Sequence, residues 1–162
     1  MKIDGTHKID APREQIFDLL TNPLLLQKCI PGCEKMDNTA ENQYAARLSV
    51  GVGPIKGVFN ATVNLTELRR PDHYALTMEG KGQAGFVKGS GVLDFADDGG
   101  ATMVHFTGDV NVGGLIASVG QRMIQSVGKM MAERFFVALE NEAKAQQKAS
   151  QAALLSDPPS SL

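Results

Sequence analysis

Side chains able to do chemistry are few and scattered in this sequence. The three histidines, His7, His73 and His105, stand far apart, with no His-Glu-x-x-His pair and no carboxylate at metal-ligand spacing. Neither a metal centre nor a nucleophile–base relay can be assembled from them. His7 falls on the apolar side of an alternating segment, as a satisfied buried histidine does, while His105 alternates outward between Val104 and Phe106. Cys29 and Cys33 enclose Ile30-Pro31-Gly32. A gap of that length without a second Cys or His pair lacks the four ligands of a structural zinc site. Cys29 is expected to pack at a helix end and Cys33 to be more exposed on a loop, which makes a weak case for redox work. Gly80-Lys81-Gly82-Gln83-Ala84-Gly85 spells G-x-G-x-x-G, but strand pattern resumes beyond it where a phosphate loop needs a helix. No nucleotide is expected there. Arg134 projects in the same direction as Ile116 and Val127 when residues are set at 100° intervals. Either it snorkels to water from an edge, or it is a cation for the polar end of an otherwise apolar ligand.

Composition closes off several other functions. With 162 residues, 43% hydrophobic content and a net charge of −2, the chain reads as one soluble domain able to bury a core. Lysines and arginines are dispersed, so no nucleic-acid footprint forms. No run approaches the ~18 apolar residues of a membrane-spanning helix. Met1-Lys2-Ile3-Asp4-Gly5 leads straight into polar alternation with no secretory pattern, and two cysteines make no disulfide framework. A cytoplasmic domain over residues 1–145 with a flexible tail over 146–162 is expected.

The elements that would position these residues follow from periodicity. Lys2 to Ile9 alternates as a half-buried strand. Asp10-Ala11-Pro12 and Thr21-Asn22-Pro23 each start a short helix by placing proline where a missing N–H costs nothing, and Pro31-Gly32 stops the second. From Gln43 the period is two through Val52, resumes from Ile55 to Thr66 after Gly53-Pro54, and returns from Tyr74 to Met78 after Pro71-Asp72. Phe86 to Ala96 and Met103 to Val112 are joined by Asp97-Asp98-Gly99-Gly100, a hairpin signal. That makes six strands, five of them consecutive and so antiparallel.

The longest helical stretch, Leu115 to about Ala145, carries a wide apolar stripe of Ile116, Val119, Met123, Val127, Met130 and Val137. It is the natural cover for the apolar face of the sheet. Phe135, Phe136 and Leu139 then turn the apolar surface round the axis, so the last turns are expected to dock differently from the first. The expected architecture is α+β: a curved antiparallel sheet gripping a C-terminal helix, with two short helices closing one end. Gly120 and Gly128 each cost about 1 kcal/mol in a helix interior, so close backbone packing is expected to offset them. Gly57, Gly89, Gly91 and Gly108 lie on apolar strand faces. They mark bulges, bends or close approaches, or else they leave volume for a cavity.

Cys29-Ile30-Pro31-Gly32-Cys33-Glu34 after two short helices, Gly53-Pro54-Ile55-Lys56-Gly57 at a strand turn, Val112-Gly113-Gly114-Leu115 entering the helix, and Phe135-Phe136 near its end form a specific combination. Together they resemble the CoxG family of carbon monoxide dehydrogenase subunits, within the START-like (SRPBCC) superfamily of helix-grip ligand-binding domains, over roughly residues 1–145. The resemblance implies a non-catalytic accessory protein of a molybdenum hydroxylase of the carbon monoxide dehydrogenase type. Members are associated with recruiting that enzyme to the membrane and with binding a lipophilic quinone that takes its electrons.

The expected ligand is therefore an isoprenoid quinone or similar lipid, held without metal or covalent cofactor and linking the dehydrogenase to the membrane quinone pool. Phe59, Val63, Met78, Gly91, Phe95, Phe106, Gly108 and Val110 of the sheet would line its cavity, with Met123, Val127, Met130 and Arg134 of the helix. Ile30, Pro31, Gly32 and Cys33 would form a rim, and contact with the inner face of the cytoplasmic membrane would be peripheral. A rival reading is a docking protein for the dehydrogenase with a filled core and no ligand. An enzyme of the cyclase or hydrolase kind is a third, disfavoured by the missing acid–base set. A dry tunnel of at least ~300 Å³ between sheet and helix would favour the carrier.

Overall fold

The computed structural model describes residues 1–53 and 55–156, so the expected Gly53-Pro54 turn and the end of the expected tail, 157–162, lie wholly or partly outside the described residues. In chain order it contains β1 (Lys2–Ile9), α1 (Arg13–Leu20), α2 (Pro23–Cys29), β2 (Cys33–Ala40), β3 (Gln43–Val52), β4 (Ile55–Arg69), β5 (His73–Gly82), β6 (Gly85–Asp98) and β7 (Ala101–Gly113). A 3₁₀ turn, Leu115–Val119, and the long helix α3, Gln121–Ser156, complete it.

Seven strands form one antiparallel sheet in the order β1-β7-β6-β5-β4-β3-β2. The strand that periodicity does not reveal is β2. It is an edge strand in which Met36 alone is buried, so it shows no apolar alternation to detect. The β6–β7 hairpin turns through Gly99 and Gly100, both at positive φ, which a two-residue turn between right-twisted strands requires. Gly80 to Gly85 is likewise a hairpin: β5 ends at Gly82, which pairs with Gly85 opening β6. In α2 the Leu24 N–H donates to Asn22 Oδ1 at 3.0 Å, and Pro23 occupies the first helical position.

The long helix departs from its expected limits at both ends. Gly120, at φ 92°, ends the 3₁₀ turn, so α3 starts at Gln121 and not at Leu115. Ile116 (6% exposed) and Val127 (7%) are buried, but Met123 is 40% exposed and Val137 62%. The stripe of Ile116 to Val137 does not hold along the whole helix, and the apolar surface turns round the axis near Phe136 and Leu139 as expected. Ile124, Val127 and Met131 face inward over the first turns, and Phe136, Leu139 and Ala143 over the later ones. At 100° per residue the second set lies well round the axis from the first. At the other end α3 continues past Ala145 to Ser156, and Gln147 Nε2 donates to Gln15 Oε1 at 3.0 Å.

Burial divides into two clusters. The larger joins α1, α2 and the later turns of α3 to the sheet through Ile16, Leu20, Phe95, Val104, Phe136 and Leu139. The smaller contains Ile55, Phe59, Ile116 and Val127. Among the described residues, no helix is long and apolar enough to cross a membrane.

Candidate functional site

The smaller cluster surrounds a cavity of about 220 Å³ between the sheet and the start of α3. Its walls come from the inward residues of six strands, since alternate side chains of a strand share a face: Ile3 of β1, Leu48 and Val50 of β3, Ile55, Phe59 and Ala61 of β4, Met78 and Gly80 of β5, Val87 of β6, and Val110 and Val112 of β7. Met1 and the helical residues Ile116, Ile124, Val127, Gly128 and Met131 close it. Among the described residues, every lining side chain is apolar.

Volume is available because the walls are short at particular points. Gly80 pairs with Ala61 across β5 and β4, and a Cβ added to Gly80 would meet only the Ala61 methyl, at 3.9 Å. A Cβ on Gly128 would meet nothing within 4 Å. The backbone packing expected to offset the cost of Gly128 is therefore missing.

The structure places Phe59, Met78, Val110 and Val127 on the cavity wall. Phe95 belongs to the larger core cluster, with Val63 and Phe106 packed against it, and the Phe106 and Phe136 rings stack at 5.6 Å. Gly91 and Gly108 face each other in the β6–β7 register and do not line the cavity. Added Cβ atoms there would lie 3.0 Å from the Thr107 and Ser90 carbonyl oxygens respectively, so these glycines permit a close backbone approach. Met123 and Arg134 are exposed and Met130 is half-buried away from the lining. Met123 stands in the first turn of the shortened helix. By Arg134 the inward face has passed from Val127 and Met131 to Phe136 and Leu139, so the stripe on which Arg134 lies has left the core.

The loop Ile30-Pro31-Gly32-Cys33 is not in the lining either. Pairing of β2 with β3 draws it onto the sheet edge, where the Ser49 N–H donates to the Gly32 carbonyl at 2.8 Å. Cys33, inside β2, pairs with Leu48, whose side chain does line the cavity. The loop is thus one strand away from the site.

Titratable side chains lie outside the cavity wall. The Arg70 guanidinium hydrogen-bonds Asp18 at 2.8 Å and holds that carboxyl below its ordinary range. His73 Nδ1 meets Asp94 at 2.6 Å, and Arg13 meets Asp72 at 2.6 Å. Burial pushes the Cys29 thiol up to about 11 and raises that of Cys33, which keeps both protonated near neutrality and poor as nucleophiles. His7 stacks on Phe136 with ring centroids 4.4 Å apart. Among the described residues, no three His, Cys, Asp or Glu side chains come together to hold a metal ion. What this site can do is exclude water and solvate apolar surface.

Several wall residues carry a sequence signal that points elsewhere. Gly80 belongs to the apparent phosphate motif, and Ile124 and Met131 flank the stripe expected to face inward. Leu48, Val50 and Ala61 stand on recognised apolar strand faces, but nothing local separates a residue beside a void from one beside a neighbour.

The family model for the carbon monoxide dehydrogenase subunit CoxG matches residues 5–144. A conserved protein from Geobacillus kaustophilus is 32% identical, covering 90% of this chain and 96% of that one with a TM-score of 0.87. The Zhui aromatase/cyclase from Streptomyces sp. R1128 is 18% identical, over 93% of this chain and 97% of its own, with a TM-score of 0.70. A START superfamily protein from Mycobacterium smegmatis is 15% identical, over 90% and 98%, with a TM-score of 0.69. The last two likenesses show a shared fold. No curated protein matches the chain.

Proposed function

The chain belongs to the CoxG family of carbon monoxide dehydrogenase subunits, and on that premise we propose that it carries an isoprenoid quinone or similar lipid for a partner molybdenum hydroxylase. It would take this ligand from, or return it to, the inner face of the cytoplasmic membrane by peripheral contact, linking the enzyme to the quinone pool. The observation that carries the reading is a cavity of about 220 Å³ whose lining side chains are all apolar, although it is smaller than the ~300 Å³ tunnel expected of a carrier. A filled-core docking protein has no need of it.

The cavity also limits the ligand. A cavity of about 150 Å³ takes one benzene, so this one accepts about one or two isoprene units. At about 0.8 kcal/mol per methylene, ten carbons supply about 8 kcal/mol. Association costs at least about 4 kcal/mol of that, which leaves an affinity near millimolar. Tighter binding therefore requires contacts beyond the cavity. The volume is also below the ~300 Å³ of ordinary small-molecule clefts, so the remainder of a long chain lies outside it. Which end enters follows from the lining: a buried carbonyl without a donor costs about 1–3 kcal/mol, and the walls offer none. The isoprenoid chain enters and the quinone ring stays out.

Extraction of the purified protein into organic solvent, followed by mass spectrometry, should recover a prenylated quinone. Titration with a two-isoprene benzoquinone should saturate. Protein that yields no lipid and binds none, while still enhancing electron transfer from the dehydrogenase to quinone, would replace the carrier with the docking protein.

A further inference from the structure

Gly128 has no structural reason to be glycine. It lies inside α3, where it costs about 1 kcal/mol relative to alanine, and nothing stands within 4 Å of an added Cβ. Among the described residues that line the cavity, it alone is exposed. A residue that is both on the surface and on the wall of an interior cavity marks an opening. On its outer side is a groove between β1 and α3, lined by Lys2, Thr6, Gln125, Lys129 and Glu133. Among the described residues, only Gly128 and Ile3 line both the cavity and this groove. The apolar interior and an outer groove of mixed polar and apolar lining therefore meet where one side chain is missing.

We infer that the gap between Gly128 and Ile3 is the portal of the cavity, and that the ligand's neutral carbonyl-bearing head rests in the groove outside it. This portal rests on the cavity being a lipid site, and adds to it the route of entry and the head position. The groove supplies what the cavity lacks, because Gln125, Lys129 and Lys2 carry N–H donors for a carbonyl oxygen. It also supplies contacts beyond the limited apolar volume. A second opening, beside Met1 and Gln121, is the rival route, but no helix glycine is spent on it.

The test is rapid mixing with a two-isoprene benzoquinone, read by tyrosine fluorescence, which suits a chain with two tyrosines and no tryptophan. Gly128→Leu narrows the gap from the helix and Ile3→Phe from the strand, so the loss of one variant to misfolding leaves the other. Each should slow association and dissociation by at least about tenfold while Kd changes much less, since a narrowed door affects both rates alike. Gly128→Leu should also melt no lower than wild type. Unchanged rates would move entry to the Met1 opening and overturn the portal. A weaker Kd with unchanged association would make Gly128 merely wall and overturn it as well. Combined Gln125→Ala and Lys129→Ala should weaken binding of the quinone but not of a hydrocarbon of equal length; equal losses would remove the head from the groove. Wild type that fails to bind the quinone at all would sink the carrier reading itself, an outcome distinct from each of these.

Discussion

Gly80 on β5 stands directly opposite Ala61 on β4, and this pair of the two smallest residues leaves the inner sheet face lowest where the cavity opens above it. Gly80→Val should fill that space with a side chain suited to a strand. The expected result is a gain of about 0.5–2 kcal/mol in stability together with a loss of more than about tenfold in quinone affinity. Urea denaturation and a quinone titration check the two halves. A stabilised variant that still binds as wild type would place the ligand elsewhere.

Val127 and Met123 lie one turn apart on α3 and nearly share a face, yet they are 7% and 40% exposed, because Met123 stands in the first turn, off the cavity lining. Val127→Asp puts an unpaired carboxylate in an apolar wall and should destabilise the domain by at least about 3 kcal/mol. Met123→Asp should stay within about 0.5 kcal/mol of wild type. Equal melting temperatures for the two variants would mean that the first turn is covered as deeply as the second.

Thr102 is fully buried, and its hydroxyl donates to the Ala11 carbonyl at 2.6 Å, tying β7 to the segment that leads into α1. Thr102→Val keeps the shape but orphans that carbonyl, at an expected cost of about 1–3 kcal/mol. Thr102→Ser keeps the donor and should cost less. The ordering of the two variants in chemical denaturation is the measurement.

Cys29 titrates in the folded state at about 11, raised from 9.0 chiefly by burial. A group with a raised folded value stabilises fully below its unfolded value, and that contribution is lost as pH rises through the folded one. Wild-type stability should therefore decline between about pH 9 and 11, and Cys29→Val should show less of that decline. Thiol labelling at pH 8 should modify the half-buried Cys33 before the buried Cys29. Simultaneous labelling would argue that the α2 end opens readily.

The sequence by itself determined the family and the local elements apart from β2 and the limits of α3. Alternation located six strands, the proline-started helices were placed by their caps, and four short motifs pointed to the right family. It also led to the expectation of no metal or nucleotide motif, since the fixed spacings of residue types that such motifs require are not found in it. Tertiary structure decided the rest. Gly120 takes a positive φ that delays the start of α3, which leaves Met123 in an exposed first turn. Farther along, α1 and α2 pack against Phe136 and Leu139, so the inward face turns away from the stripe that carries Arg134. Gly91 and Gly108, which look like cavity glycines, are pressed against neighbouring carbonyls, while Gly80 and Gly128 face space. Periodicity says which face a side chain is on. Whether the space before it is occupied depends on residues from six strands and a helix meeting there, and a cavity, being an absence of atoms, has no motif of its own.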